Sequence, residues 1–390
     1  MTIWNAVILA AMLQGFILFL FLLTKKRNRR ANIILAFLVL LYSIDIGLET
    51  LYSSQLIFEY PHFIGLNDPI FFLYGPLLYL YAYFLTSSEE IRNKTWLLNF
   101  VPFLLVVFFY LPTFYLQSAE FKLVSEGKIT SDFVRESIIN ETSRGYIELA
   151  SAFHELIYII LTLILLKKYQ NTIRDAFSAI DRINLNWLRI LTLATGIIVL
   201  VDIILYFSVS FEFVTFGEAV TSVLFLCALL IYAIGYMGLM QPEIFSPVAK
   251  FENILTVTAN EETREKYSKS KLTDEQAEYN VAKLLELMET EELFLDGELK
   301  LQDVAEALMV SSNNLSQIIN DKLNKNFYDF VNGYRVETAK KLLVNPKKQH
   351  LTLLAIAFDS GFNSKSSFNS VFKKQCLMTP SEFKKVKTRV

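Results

Sequence analysis

The stretches LQDVAEALMVSSNNLSQIINDKL (Leu301–Leu323) and LLAIAFDSGFNSKSSFNSVFKK (Leu353–Lys374) are two versions of one pattern. In the first, Val304, Ala305 and Leu308 share the inner face of a short helix over Leu301–Leu308. Met309-Val310 turns the chain. Ser311 or Ser312 can then accept from the free amides that open a second helix, with Leu315, Ile318 and Ile319 inside and its end near Leu323. In the second version Leu353, Ile356 and Ala357 face inward, and Gly361 supplies the left-handed residue that ends the helix. Ser364 caps the next helix, whose Phe368, Val371 and Phe372 are buried. Between the two, Phe327–Val344 reads as one helix closed by Asn345-Pro346. At about 1.5 Å per residue it makes a strut of roughly 27 Å. The spacing therefore predicts two helix-turn-helix units held apart by one long helix.

The rest of the chain is of another kind. Of its 390 residues 53% are hydrophobic, with 33 Phe and 19 Tyr, and the apolar runs lie before Met240. A helix that crosses a bilayer needs roughly 20 mostly apolar residues. Seven stretches qualify: Ile3–Leu23, Ala31–Leu51, Pro69–Leu85, Trp96–Leu116, Gly145–Leu166, Trp187–Val209 and Phe216–Met240. The fold class expected is all-α, a seven-helix transmembrane bundle over 1–240, then a linker over 241–272 and a cytosolic double helix-turn-helix domain over 273–390.

Charge sets the orientation. The first span has no basic residue ahead of it and is followed by Lys25, Lys26, Arg27, Arg29 and Arg30, which anchors its start outside and argues against a cleaved signal peptide. With seven crossings, the inner connections also carry Arg92, Lys94, Lys167, Lys168, Arg174, Arg182 and Arg189, whereas the outer ones carry only Lys122, Lys128, Arg135 and Arg144. That asymmetry follows the positive-inside rule and leaves the carboxyl end in the cytoplasm. The count depends on Pro69–Leu85, which is short and contains Gly75-Pro76; without it the tail would lie on the other side. The outer loop Gln117–Arg144 is polar with scattered Phe121, Leu123, Phe133, Val134 and Ile138, a pattern for a short amphipathic helix on the surface or capping the bundle. Its Asn140-Glu141-Thr142 sequon reads as coincidence.

Ionisable residues within spans are costly and usually face the bundle interior. Asp45, Glu49, Glu148, Asp202 and Glu218 fall in the outer halves of their spans, and His154-Glu155 lies near mid-depth. Two readings stay open. One is an outward-facing acidic sensor pocket for a cation, an amine or a polyhydroxyl ligand. The other is a set of interhelical hydrogen bonds that only hold the bundle together. His154-Glu155 begins like a zinc-protease motif, but Tyr158 stands where the second histidine would be, so no metal is expected. Cys227 and Cys376 are too few for a metal cluster, and no disulfide is expected. With no nucleophile, metal set or phosphate-binding loop in view, the sequence predicts no catalytic residue, no cofactor and no enzyme.

Beyond Met240, Gln241-Pro242, Ser246-Pro247 and a polar run to Leu272 read as the linker. Thr273 with Gln276 opens a helix as a capping box, and Val281, Leu284, Leu285 and Met288 form one apolar stripe on it, suited to pack on the terminal module or to form a dimer contact. Gln241–Lys300 has 7 basic and 14 acidic residues, and Leu301–Val390 has 14 basic and 7 acidic. A basic terminal module suits a polyanionic partner.

The terminal hundred residues resemble the AraC/XylS family of bacterial transcription regulators. The matching text is Val304-Ala305, Ser311 and Leu315; Phe327, Phe330-Val331-Asn332, Arg335, Ala339 and Leu342-Leu343; then Ile356-Ala357, Gly361-Phe362, Phe368, Phe372-Lys373-Lys374, Thr379-Pro380 and Phe383. In two places the pattern differs: Leu377 holds a position where the family usually has glycine, and Phe383-Lys384 replaces a Tyr-Arg-like pair. A left-handed Leu377 would cost on the order of 1 kcal/mol. The resemblance implies double-stranded DNA as partner, with base contacts from Asn313, Ser316, Gln317 and Asn320 in the first unit and Lys365, Ser366, Asn369 and Ser370 in the second. Asn and Gln pair best with adenine edges, so A·T-rich half-sites are expected. Phosphate anchors would be Lys322, Lys325, Lys373 and Lys374. A strut of this length is in the range that sets two recognition helices in successive major grooves, about 34 Å apart.

Together these features predict a one-component transcription regulator in the bacterial inner membrane. Its partners would be DNA, the lipid bilayer, a small-molecule or membrane signal, and a second copy in a homodimer. The alternative is a seven-span receptor or transporter whose basic tail is a protein-docking module.

Overall fold

A computed structural model describes residues 3–26, 28–87, 94–130, 141–240 and 273–387. The expected linker, 241–272, lies outside the described residues, as do Arg27, Arg92, Phe133, Val134, Arg135, Ile138 and Asn140. The fold is all-α, and among the described residues the one β contact is an isolated antiparallel bridge between Phe177 and Lys300. Two compact units form. One holds the described residues of Met1–Lys167 and Leu185–Ala249, the other those of Lys168–Asn184 and Lys250–Val390.

The first unit contains α1 (Ile3–Thr24), α2 (Arg29–Ser53), α3 (Phe71–Thr86), α4 (Val101–Tyr110), α5 (Ala119–Ser125), most of α6 (Glu141–Ala176), α7 (Asn186–Ser210) and α8 (Phe216–Met240). Six of its segments are long and apolar enough to cross a membrane; α3, with 16 residues, is a shorter apolar helix. The predicted span Trp96–Leu116 is built from three pieces: a 3-10 segment Lys94–Phe100, α4, and a wider π turn Leu111–Tyr115. Pro102 and Pro112 each lack the amide that a regular ladder would use. Within the loop Gln117–Arg144, Ala119–Ser125 form a short helix, α5, capped by Ser118 accepting from the Phe121 amide.

Buried Leu35, Val39, Tyr42 and Ile46 of α2 pack into one core with Ile8, Leu22, Tyr74, Tyr81, Leu191 and Ile231. On α3, a Cβ at Gly75 would lie 3.1 Å from the Glu155 Cα, so the glycine lets α3 and α6 meet at backbone distance. The outer faces are apolar as well: Ile17, Leu105, Ile160, Ile197 and Ile204 are exposed, and Phe108 is 79% exposed. Contiguous apolar surface on this scale marks an interaction site in a water-soluble protein and is the normal exterior of a bilayer-embedded one.

The second unit contains α9 (Asp274–Thr290), α10 (Leu301–Leu308), α11 (Ser312–Leu323), α12 (Phe327–Val344), α13 (Leu353–Asp359), α14 (Lys365–Cys376) and α15 (Pro380–Lys387). The Thr273–Gln276 capping box is formed. Leu284 and Met288 of α9 are buried in a core with Val304, Leu308, Leu315, Ile319, Phe327, Phe330 and Val331, so this stripe packs on the first helix pair. Around the second pair, Phe362, Phe368, Phe372 and Phe383 form a chain of ring contacts 5.3–5.6 Å apart between centroids. Leu353 is half-buried, with Ile356 and Ala357 carrying that face. Gly361 has φ +86°, and any Cβ there would collide with the Phe294 carbonyl, so the turn admits glycine alone.

This unit also takes in Lys168–Asn184, a piece the sequence places among the inner connections of the bundle. Helix α6 runs past the predicted Leu166 end as far as Ala176 without a break.

Candidate functional site

Each helix pair presents its second helix through a local device. Ser311 accepts from the Asn314 amide at 3.2 Å to open α11, and Ser364 accepts from the Ser367 amide at 3.1 Å to open α14. With Leu315, Ile318 and Ile319 committed to the core, the helical repeat leaves Gln317 and Asn320 exposed and Asn313 and Ser316 half-exposed. On α14, Lys365, Ser366 and Ser370 are exposed and Asn369 is half-exposed, while Ser367, Phe368, Val371 and Phe372 are buried. All eight residues expected to contact bases thus lie outside the core. The expected phosphate anchors differ from one another. Lys325 and Lys373 are exposed, whereas Lys322 pairs with Asp274 at 2.8 Å and Lys374 with Asp329 at 3.1 Å. Exposed pairs of this kind are weak and salt-screened, so a phosphate can replace the carboxylate.

The turn after α14 carries the departure noted above. Leu377 adopts φ 57°, the left-handed region, with the side chain 89% exposed. Its amide still closes onto the Lys373 carbonyl at 2.9 Å. A leucine there pays a steric penalty that glycine avoids and gains no burial in return. Leu377→Gly is expected to stabilise this unit by about 1 kcal/mol, which raises its melting temperature by several degrees. An unchanged or lower midpoint in thermal denaturation of the variant would show that the leucine contributes a contact of its own.

The first unit encloses a cavity of about 480 Å³. Asp45, Glu49, Glu148, Glu155 and Asp202 all line it, together with Tyr42, Tyr74, Asp68 and Arg144. Asn67 donates to Asp45 Oδ1 at 3.0 Å and to Glu49 Oε1 at 2.7 Å, tying the two acids of α2 together. The Tyr42 and Tyr74 rings stack at 4.3 Å. Arg144 is the one basic side chain among the lining residues, and it is already matched: its guanidinium meets both Asp68 oxygens, at 2.8 and 3.2 Å, and Glu126 at 2.5 Å. Tyr52 donates to the other Glu126 oxygen at 2.8 Å.

Two of the seven residues expected in this pocket lie elsewhere. His154 is not among the residues that line the cavity, and its ring contacts those of Phe72 and Tyr158. Glu218 is exposed and caps its own helix, accepting from the Thr215 amide and hydroxyl at 3.1 and 2.7 Å. It is a capping residue because it stands three positions after a threonine at the start of α8, a signal that was present in the sequence. Conversely, Arg144, Asp68 and Tyr74 belong to the cavity and were not picked out. Arg144 and Asp68 each sit at the edge of an apolar run, where a charge is ordinary, and no local spacing links them.

A family model described as a helix-turn-helix domain matches residues 304–385. Comparison with curated proteins and with solved structures gives no match. The matched segment covers α11 to α14 with most of α10 and α15, and is similar to AraC-type helix-turn-helix domains, a class used in DNA-binding transcription regulation. Residues before 304 lie outside the match.

Proposed function

We propose that the chain is a membrane-embedded, one-component transcription regulator. Its C-terminal domain reads double-stranded DNA in the cytoplasm, and a signal bound in the cavity of the first unit controls it. The observation that carries the reading is the pairing, on one chain, of two serine-capped recognition helices within the matched domain and a unit whose outer faces are apolar. The six long apolar helices and the shorter α3 serve as seven crossings, with the amino end outside. At about 24 Å, α3 is shorter than a hydrocarbon core of roughly 30 Å, a mismatch that local thinning of the bilayer accommodates.

For the cavity, five carboxylates and a single arginine already matched by Asp68 and Glu126 favour a cation or an amine over a neutral polyhydroxyl compound. The stacked Tyr42 and Tyr74 rings add faces suited to such a charge.

The test is selection from random duplex DNA by the full chain in lipid nanodiscs at a fixed salt concentration, since phosphate contacts make affinity salt-dependent. Recovery of a motif about two helical turns long supports the reading. Salt-sensitive binding without a motif rejects it in favour of a basic docking module. Gln317→Ala and Asn369→Ala should each relax preference at one adenine position and weaken the selected site by about 1–3 kcal/mol, roughly five- to 150-fold. If both variants select the wild-type motif, the assignment of these residues to bases is wrong.

A further inference from the structure

We propose that the segment Tyr169–Asn184, the last turns of α6 and its connection to α7, is a built-in part of the DNA-reading domain and the route by which the membrane unit fixes its two recognition helices. The proposal rests on the DNA-reading function above.

A plain connection between two spans would lie on the surface with its backbone hydrated. This one is built into a core. Tyr169, Ile173, Ala176 and Ile180 are buried along one side of the segment. Phe177 pairs with Lys300 as the antiparallel bridge, just ahead of α10. Ser178 is buried and bonded at every polar atom. Its amide and hydroxyl donate to the Leu299 carbonyl at 3.2 and 2.6 Å. Its carbonyl accepts from Arg335 Nη1 at 3.0 Å and from Asn332 Nδ2 at 3.1 Å, and its hydroxyl accepts from Arg335 Nη2 at 2.9 Å.

The same segment touches both recognition helices. Asp181 accepts from the hydroxyl of Ser364, the residue that caps α14, at 3.0 Å. Asp175 lies near Asn320 on α11. Arg174 lies 5.3 Å from the ring centre of Tyr328, on α12. One short stretch therefore reaches the entry to the first helix pair, the strut, and a side chain of each recognition helix. It is also the direct continuation of α6, which is unbroken to Ala176. Unseating the segment takes from Arg335 two of its five acceptor contacts and frees the cap of α14.

The test uses the full chain in lipid nanodiscs and the duplex selected by the wild type. Ser178→Ala should weaken binding to that duplex about tenfold, and Asp181→Ala, at an exposed position where folding is not at stake, about threefold. Random duplex should bind both variants as it binds the wild type. Hydrogen exchange in Ser178→Ala should accelerate at residues 299–304 and 332–335. Wild-type affinity together with unchanged exchange in both variants would overturn the proposal. So would tighter binding by Asp181→Ala, which would make the contact inhibitory. If the wild type selects no motif, exchange decides alone: acceleration in Ser178→Ala keeps the docked segment and drops the DNA reading, and no change drops the docked segment.

Discussion

Arg335→Met is expected to unfold the C-terminal domain or bring it to the edge of unfolding. Arg335 is 1% exposed on α12 and forms no ion pair among the described residues. Its cation is held instead by neutral acceptors that use all five N–H groups: the carbonyls of Phe294 at 2.8 Å, Asp296 at 2.8 Å and Ser178 at 3.0 Å, the Ser178 hydroxyl at 2.9 Å, and Asn332 Oδ1 at 3.4 Å. Burial pushes the guanidinium down to about 10, so it remains charged at neutral pH. Methionine fills much of the volume but strips the Phe294 carbonyl of its donor and removes one of two donors from the Ser178 and Asp296 carbonyls, besides leaving the Ser178 hydroxyl and Asn332 Oδ1 a bond short; an unmet buried acceptor costs about 1–3 kcal/mol. Even with partial rehydration the cost should reach about 3–5 kcal/mol, a large share of the roughly 5–15 kcal/mol that holds a domain of this size together. Arg335→Lys keeps the charge but has three donors and no planar fork, so it should recover less than half of the loss. Thermal denaturation of the full chain, followed by far-ultraviolet circular dichroism and by protease resistance of the C-terminal fragment, checks this. A midpoint within 2 °C of wild type in Arg335→Met, on the scale expected for such a loss, would mean that the buried fork contributes little.

Arg335 also marks where the sequence stops being informative. The caps at Ser311 and Ser364 act over three residues, the stripes on α9, α10 and α11 over one or two turns, and Gly361 answers a local need for positive φ. Such features are legible because cause and effect lie within one element. The partners of Arg335 are not: Ser178 stands 157 residues away, and only the folded chain brings them together. Part of the missing information was present in another form. A search for apolar runs ends α6 near Leu166, whereas Tyr169, Ile173 and Ala176 recur at helical spacing and announce an amphipathic continuation that packs on something. The cavity shows the same division. Its acids on α2, α6 and α7 were legible as charges placed where charges are expensive. The errors at His154 and Glu218 arose because hydropathy gives the depth of a residue but not the side of the helix it occupies.

Arg144→Met should be the most damaging single change in the first unit. The guanidinium joins Asp68 and Glu126, with side-chain exposures of 16%, 7% and 1%. Two carboxylates left together in so dry a place repel each other and lack the water that would otherwise solvate them. Breaking a buried ion pair from one side costs about 3–5 kcal/mol, which in a unit of this size lowers the melting temperature by about 10 °C. The effect should reach the cavity, because Asp68 follows Asn67 directly in the chain and Asn67 fixes Asp45 and Glu49. The informative control is Arg144→Met combined with Asp68→Asn and Glu126→Gln, which removes the stranded charges and should recover most of the lost stability, since replacing a whole buried ion set is often nearly neutral. Thermal unfolding of the nanodisc-embedded chain, read by intrinsic fluorescence, checks both. If the single variant melts with the wild type, the arginine bears no structural load; if the triple variant melts as low as the single one, the loss comes from packing and not from charge. The predicted pattern of a deep loss with recovery would make Arg144 the counter-ion of Asp68 and Glu126 beside the cavity.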